Sequence, residues 1–413
     1  MAGSPIVRCS RVYDPRMAYP IADRIASLPS YPFAVLSEQV QTLKDQGLSP
    51  VDFGVGDPTI PTPAIVRERL KAAVDERAAS GYPSYIGDAG FRAGVADWMK
   101  GRFGVDLDPA TEITTTIGSK EGIFNFPLGH VNDGDIVLCP TPGYPPYARG
   151  TSFAGGEPYF LPLTKENGYL PDLDSIPGDI VERARILWLC YPGAPTGVNA
   201  TPEYFEKAIA WGRANNVIVV NDEAYSDLYF TDEPPHSILE YGKEGVVAFH
   251  SMSKRSAMTG WRIGWTAGDP EIIATFRKVK TNVDSGCPTF IQDASVAALE
   301  DETHVEEMRA DYAAKREMLR AMFAELGLED CAPDSSIHYW QRLPDGVDAL
   351  AFAQKLLHPD IAVVCTPGPW VSDVCADGSN PGDGYVRFSM VPSLADTQRA
   401  CEAILGKREE LLG

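Results

Sequence analysis

The stretch 250–265, HSMSKRSAMTGWRIGW, gathers residue types that can do chemistry together. Lys254 is flanked by two hydroxyls, Ser251 and Ser253, and a guanidinium, Arg262, follows eight residues later. Lysine is the side chain that forms Schiff bases with carbonyl compounds. Arginine offers a planar fork matched to phosphate oxygens, and serine hydroxyls donate to the same oxygens. A lone lysine reads as a solvated surface residue. A lysine set among phosphate donors is what a phosphorylated aldehyde requires.

Other stretches fit that demand. In VIVVNDEAY (217–225), Asp222 ends an apolar run. Ligands gather at the carboxyl ends of strands in α/β sheets. A buried carboxylate there can hold a pyridine nitrogen protonated and so draw electrons from a substrate carbon. The plain alternative is an aspartate that caps a helix. Tyr225 can hydrogen-bond a ring phenolate or simply pack in the core. In TTTIGSKEGI (114–123), Gly118 turns the chain and a helix is expected near Ser119. Backbone N–H groups at such a start bind phosphate, and Lys120 adds charge. This is not a Walker A loop, and Gly54-Val-Gly56 is not a dinucleotide fingerprint. In CPTPGYPPY (139–147), a proline-rich turn would project Tyr144 as a flat face for stacking.

These residues need a scaffold. Short apolar runs at 112–118, 135–139, 157–163, 185–191, 217–221, 246–250 and 261–267 read as strands covered on both faces. Helix signals lie between them. Thr201-Pro202 fits an N-cap and first helical position, followed by the stripe Tyr204, Phe205, Ala208, Ile209. Such alternation predicts an α/β, mostly parallel sheet. The tail differs: a helix over 301–326, strands near 362–366 and 385–390, and a final helix through 412 suggest a smaller α+β domain completed by N-terminal residues. Segment 371–383 reads as an exposed loop.

The chain has 413 residues, 44% of them hydrophobic, enough for two domains. The formal net charge of -21 speaks against nucleic-acid binding, which needs basic stripes. It also requires a phosphate site to collect positive charge locally. No run is long and apolar enough to cross a bilayer, and residues 1–11 lack the apolar segment of a signal peptide. A soluble cytoplasmic protein is expected. The eight cysteines are scattered, without CxxC or zinc spacing, and read as free thiols; the six histidines show no metal-binding pattern.

Taken together and in this order, the stretches resemble the fold-type-I, class I/II aminotransferases that use pyridoxal 5'-phosphate (PLP). The likeness extends over nearly the whole chain. A narrower resemblance, to LL-diaminopimelate aminotransferases, is carried by IGSKEGIFNFPLGHVNDGD (117–135), PGYPPYARGTSFAGGEPYFLPL (142–163), ENGYLPDLDSIP (166–177) and MTGWRIGW (258–265). The resemblance implies the fold-type-I transferase architecture. Its large domain, 66–296, would hold a seven-stranded sheet, and 1–65 with 297–413 would form the small one. It implies that Lys254 forms the Schiff base and then moves the substrate proton. Asp222 and Tyr225 would hold the ring nitrogen and phenolate. Ser119, Lys120, Ser251, Ser253 and Arg262 would hold the phosphate, and Tyr144 would stack on the ring. Gly56 and Arg387 would bind the substrate α-carboxylate. Tyr31 and Tyr85 match tyrosines that reach the substrate or phosphate, Tyr85 from the partner subunit of a homodimer. The substrates would be an amino acid and a 2-oxo acid, with 2-oxoglutarate the expected acceptor.

One departure stands out. The family turn YPxNPTG is here Tyr191-Pro-Gly-Ala-Pro-Thr-Gly197, so Ala194 replaces an asparagine that contacts the phenolate and the carboxylate. The loss of a donor leaves Tyr225 to hold the phenolate alone unless water or another side chain compensates, and it opens two alternatives on the same fold, β-elimination and O2-dependent oxidation. Asp88, after Tyr85, is a candidate to meet a distal amine or else an exposed loop carboxylate. A non-catalytic regulator on this fold is a remote alternative, because such proteins carry a basic DNA-binding unit ahead of it. The amino donor is left open by motifs that many donors share.

Overall fold

The structure, a computed structural model, describes residues 19–26 and 33–412. Twelve strands appear among them. β1 (Val51–Asp52) comes first, and the large sheet follows: β2 (Ile113–Thr116), β3 (Ile136–Thr141), β4 (Glu157–Pro162), β5 (Ala184–Leu189), β6 (Ile218–Asp222), β7 (Val246–Ser251) and β8 (Gly264–Gly268). Its order is β2-β8-β7-β6-β5-β3-β4. All pairings are parallel except those of β8, which runs antiparallel to both β2 and β7. The architecture is the expected α/β one with a mixed, mostly parallel sheet of seven strands.

The strands run as apolar blocks because helices cover both faces. Ile136, Leu138, Leu187 and Val219 belong to one buried cluster, and Val137, Ile186, Trp188 and Val220 belong to another. Alternate residues thus feed the two faces, as the pleat demands. Helix Pro202–Asn215 begins as expected: the Thr201 side chain accepts from Tyr204 N, and Tyr204, Phe205, Ala208 and Ile209 are buried.

The antiparallel β8 matters for chemistry. Parallel strands present their carboxyl ends on one side of the sheet. A strand reversed among them presents its amino end there. The chain just before β8 therefore reaches the same side as the chain just after β2, β3, β5, β6 and β7. β8 starts at Gly264 rather than at the expected 261, because Thr259–Trp261 forms a 3-10 turn and Arg262 sits at φ 56.

Further on, β9 (His338–Arg342), β10 (Val363–Val364), β11 (Thr366–Pro367) and β12 (Tyr385–Ser389) complete the strands. β11-β12-β9 make an antiparallel sheet, and β10 pairs in parallel with β1. Helix Thr303–Glu325 buries Met308, Tyr312, Leu319, Met322 and Phe323 in the same cluster as Phe53, Tyr339 and Phe388. Two expectations change. The final helix is two, Leu394–Leu405 and Arg408–Leu412, parted at Gly406. Segment 371–383 is not simply an exposed loop: Val371 and Cys375 are buried. Gly143 N donates to Val371 O at 3.1 Å, and Asp373 N donates to Thr141 Oγ1 at 2.7 Å. The segment is fastened over the end of β3.

Among the described residues no helix is long and apolar enough to cross a membrane. No cluster of metal-ligating side chains appears among them either. Six of the seven described cysteines are buried, and all seven are free.

Candidate active site

A cavity of about 500 Å³ opens at the carboxyl ends of the parallel strands. That volume lies within the range of about 300–1,000 Å³ common for small-molecule sites. Eleven of the thirteen residues singled out in the sequence line it. Ser119 and Lys120 follow β2, Tyr144 follows β3, and Asp222 and Tyr225 end and follow β6. Ser251, Ser253 and Lys254 leave β7, Arg262 precedes β8, and Gly56 and Arg387 enter from β1 and β12. Tyr85 is exposed and lies outside this cavity, and Tyr31 lies outside the described residues.

Lys254 sits on the one-turn helix Met252–Arg255, which Ser251 caps by accepting from Ser253 N at 3.2 Å. Its Nζ donates to Gly56 O. Burial pushes its pKa down to about 8, the charges of Arg387 and Arg262 push the same way, and the nearby Asp57 opposes them. An amine with a lowered pKa is a better nucleophile and base near neutral pH.

Asp222 is buried. Oδ2 accepts from Tyr147 OH at 2.8 Å and Oδ1 from Ala224 N at 3.3 Å. Burial raises its pKa to about 6, against the Tyr147 hydrogen bond that holds it down. Tyr147 is itself fixed by stacking on Trp188, with centroids 4.8 Å apart and planes at 17°.

The phosphate-type donors line the same cavity. Gly118, at φ 73, turns the chain into helix Ser119–Asn125. The positive φ favours glycine, and a Cβ there would stand 2.2 Å from Arg262 Nη2 and push the guanidinium from its place. Arg262 Nη1 donates to Thr259 O at 2.6 Å, which sets the fork. Arg387 Nη2 donates to Gly54 O at 2.6 Å and to Thr366 Oγ1 at 3.1 Å.

Two cavity residues, Asp57 and His338, and one that backs the cavity through Asp222, Tyr147, are not marked by the sequence. Asp57 follows Gly56 directly. Tyr147 lies in the stretch that was read only for Tyr144. His338, at the start of β9, places Nε2 3.2 Å from Tyr225 OH and Nδ1 3.0 Å from Ser389 Oγ. The Tyr225 hydroxyl thus has a side-chain partner of its own in His338. Ala194 does line the cavity, half-buried. Asp88 is neither in the cavity nor idle: it caps helix Ala89–Phe103 by accepting from Gly90 N.

The residues present fit PLP. A buried carboxylate suits a pyridine nitrogen, the hydroxyls of Ser119, Ser251 and Ser253 with the cations of Lys120 and Arg262 suit a phosphate, and an amine with a lowered pKa suits an aldehyde.

Comparison with known proteins agrees. Residues 49–404 match the family model for aminotransferase class I and II. An LL-diaminopimelate aminotransferase of Aquifex aeolicus is 44% identical over 93% of this chain and 97% of its own length. Another from Syntrophobacter fumaroxidans is 41% identical over 94% and 98%. Among solved structures, a substrate-bound BacF from Bacillus subtilis matches with TM-score 0.87 and 30% identity, covering 95% of this chain and 98% of that one. An aspartate aminotransferase double mutant from Thermus thermophilus, at 24% identity and TM-score 0.85, shares the fold. The arrangement at the strand ends and the length of these matches lead to one conclusion: the chain belongs to the class I and II aminotransferases and is a PLP-dependent enzyme that transfers an amino group between an amino acid and a 2-oxo acid.

Proposed function

We propose that LL-diaminopimelate is the amino donor, with 2-oxoglutarate as acceptor, and that Lys254 is the catalytic lysine. The donor rests on the relatives at about 40% identity over nearly the full chain. The lysine rests on one observation: a buried amine, with its pKa lowered to about 8, shares a cavity with two arginines and a buried carboxylate.

Bound PLP supplies an aldehyde for Schiff-base formation and a ring that takes up electrons from the substrate carbon. Lys254 Nζ would hold the cofactor through its aldehyde. When free, the same amine takes the proton from the substrate α-carbon. Asp222 keeps a proton on the ring nitrogen, and Tyr225 donates to the phenolate. Ser119, Lys120, Ser251, Ser253 and Arg262 hold the phosphate, and Tyr144 stacks on the ring. Arg387 and the backbone at Gly56 hold the substrate carboxylate. Their cations focus anionic ligands against the net charge of -21.

Tyr85 and Tyr31 act from the partner subunit or at the substrate, so the working form is a homodimer. The exposure of Tyr85 outside its own cavity supports that reading. The location is cytoplasmic, and the domains divide as 66–296 against 1–65 with 297–413.

The test mixes the purified holoenzyme with a panel of amino acids and follows the cofactor absorbance in each half-reaction. LL-diaminopimelate should react fastest. Ammonia or peroxide release without a 2-oxo acid acceptor would instead favour elimination or oxidation, the readings that Ala194 keeps in view. Sedimentation with and without Tyr85→Phe checks the dimer and the shared site: the variant should stay dimeric and bind cofactor more weakly.

A further inference from the structure

We propose that Ser389, His338 and Tyr225 form a directed hydrogen-bond chain that fixes the Tyr225 hydroxyl as a donor to the cofactor phenolate, in place of the side chain that Ala194 lacks. The proposal rests on the placing of Tyr225 against the phenolate given above.

The geometry is specific. Ser389 and His338 are paired residues across β12 and β9, so the sheet sets their register. Ser389 N donates to Phe53 O at 2.7 Å, which anchors the outer end. Ser389 Oγ lies 3.0 Å from His338 Nδ1, and His338 Nε2 lies 3.2 Å from Tyr225 OH. The two rings meet edge to face, with centroids 5.7 Å apart and planes at 68°. Ser389 is 0% exposed and His338 is 4% exposed. The imidazole also fills the space beside Gly56, where a Cβ would stand 2.7 Å from His338 Cε1. It is thus held from three sides.

Direction follows from proton counting. Burial, with the charges of Arg387 and Lys254 behind it, holds the imidazole neutral. A neutral imidazole has one N–H and one lone pair. If Nδ1 carried the proton, Nε2 would have to accept the Tyr225 proton, and the tyrosine would face the phenolate with lone pairs. If Nε2 carries it, Ser389 donates to Nδ1, Nε2–H donates to Tyr225, and the Tyr225 proton points outward. Only the second arrangement suits an anionic oxygen. Burial also pushes the Tyr225 pKa up, so it remains a donor. A hydroxyl that accepts one hydrogen bond donates a stronger one. His338 thereby acts as a positioning residue and touches the cofactor only through Tyr225.

The test reads the cofactor's visible absorbance against pH in the holoenzyme, together with the cofactor dissociation constant. Donation to the phenolate lowers the basicity of the neighbouring imine nitrogen. His338→Leu should therefore raise the absorbance midpoint by about one pH unit and weaken cofactor binding about tenfold, the effect of one ordinary hydrogen bond. His338→Gln, which keeps an N–H near Nε2, should restore most of both. Ser389→Ala should shift the midpoint the same way by less, and it serves should the leucine variant fail to fold. Ala194→Asn should recover the midpoint in the His338→Leu background. In Tyr225→Phe, the histidine change should add nothing further. The chain is overturned if Tyr225→Phe moves the midpoint while neither His338→Leu nor Ser389→Ala does. It is overturned equally if His338→Leu has the same effect with and without the Tyr225 hydroxyl. If Tyr225→Phe itself leaves the midpoint in place, the placing of Tyr225 has failed and the chain with it.

Discussion

Lys254 and Arg255 are neighbours in sequence, both cationic and both largely buried, yet the fold treats them in opposite ways. Successive helical residues point in different directions, so one faces the cavity and the other the core. Arg255 is 2% exposed and fully met. Its Nε pairs with Asp227 Oδ2 at 2.8 Å, Nη1 donates to Ala298 O at 2.8 Å and Ser256 Oγ at 3.1 Å, and Nη2 pairs with Glu302. Lys254 has the Gly56 carbonyl, the charge of Asp57 at the exposed rim, and two arginines whose charges repel it. The buried Lys280 follows the Arg255 pattern, with Glu121 at 3.0 Å and Asp284 at 2.8 Å. A buried cation met by carboxylates is structural. A buried cation whose nearest carboxylate, Asp57, stands at the exposed rim is kept ready to lose its proton.

Two substitutions break the comparison from its two sides. Lys254→Ala should lower turnover by at least about a thousandfold, since it removes both the Schiff-base amine and the proton carrier. Its melting temperature, measured by calorimetry on the apoenzyme, should stay the same or rise, because an ill-compensated buried amine is gone. Arg255→Met should do the reverse. It leaves Asp227 buried with Arg102 at 3.4 Å as its remaining ionic partner. The loss should be about 3–5 kcal/mol in chemical denaturation, with turnover per folded molecule largely kept. An Arg255→Met protein as stable as the parent would end the distinction.

Tyr147→Phe sharpens the same point at the carboxylate. The Tyr147 hydrogen bond is the main influence holding Asp222 down against burial. Without it the carboxyl pKa should rise above about 6, so the acid limb of the turnover–pH profile should move upward. At pH 6 the loss should be about tenfold, a charge-assisted hydrogen bond's worth, and it should shrink as pH rises.

The ease of reading these residues in the sequence follows the same division. Lys254 with its two serines, and Asp222 with Tyr225, lie within a few residues of each other at strand ends, where local spacing carries chemical meaning. The seven strands were legible because helices cover both faces and make the runs apolar. Tyr147 and Asp222 are 75 residues apart, and Tyr225 and His338 are 113 apart. No local pattern marks such pairs. Sheet register and helix packing create them, so nothing in the sequence around His338 marks it as a partner of Tyr225. The 371–383 segment misled for a related reason: its glycine-rich composition is that of a surface loop, and the bonds to Gly143 and Thr141 that fasten it are long-range.

The smallest expected effect tests the electrostatics of Lys254 directly. Cofactor capture by the apoenzyme needs the neutral amine. With the pKa lowered from 10.5 to about 8, half of the lysine is neutral at pH 8, where a solvated lysine is almost wholly charged. The initial rate of capture should therefore climb from pH 6 to 8 and level off above that. Asp57 is the carboxylate that opposes this shift, and it stands exposed at the rim. Asp57→Asn removes the opposition, so the amine should lose its proton more readily and the capture curve should move to lower pH. The displacement should be a fraction of a pH unit, because water and salt screen an exposed charge, and it should fade at high ionic strength. Stopped-flow absorbance at two salt concentrations measures it. A curve centred near 10.5 in the parent would mean that burial does not set the chemistry of Lys254, and its contrast with Arg255 would then be one of partners alone.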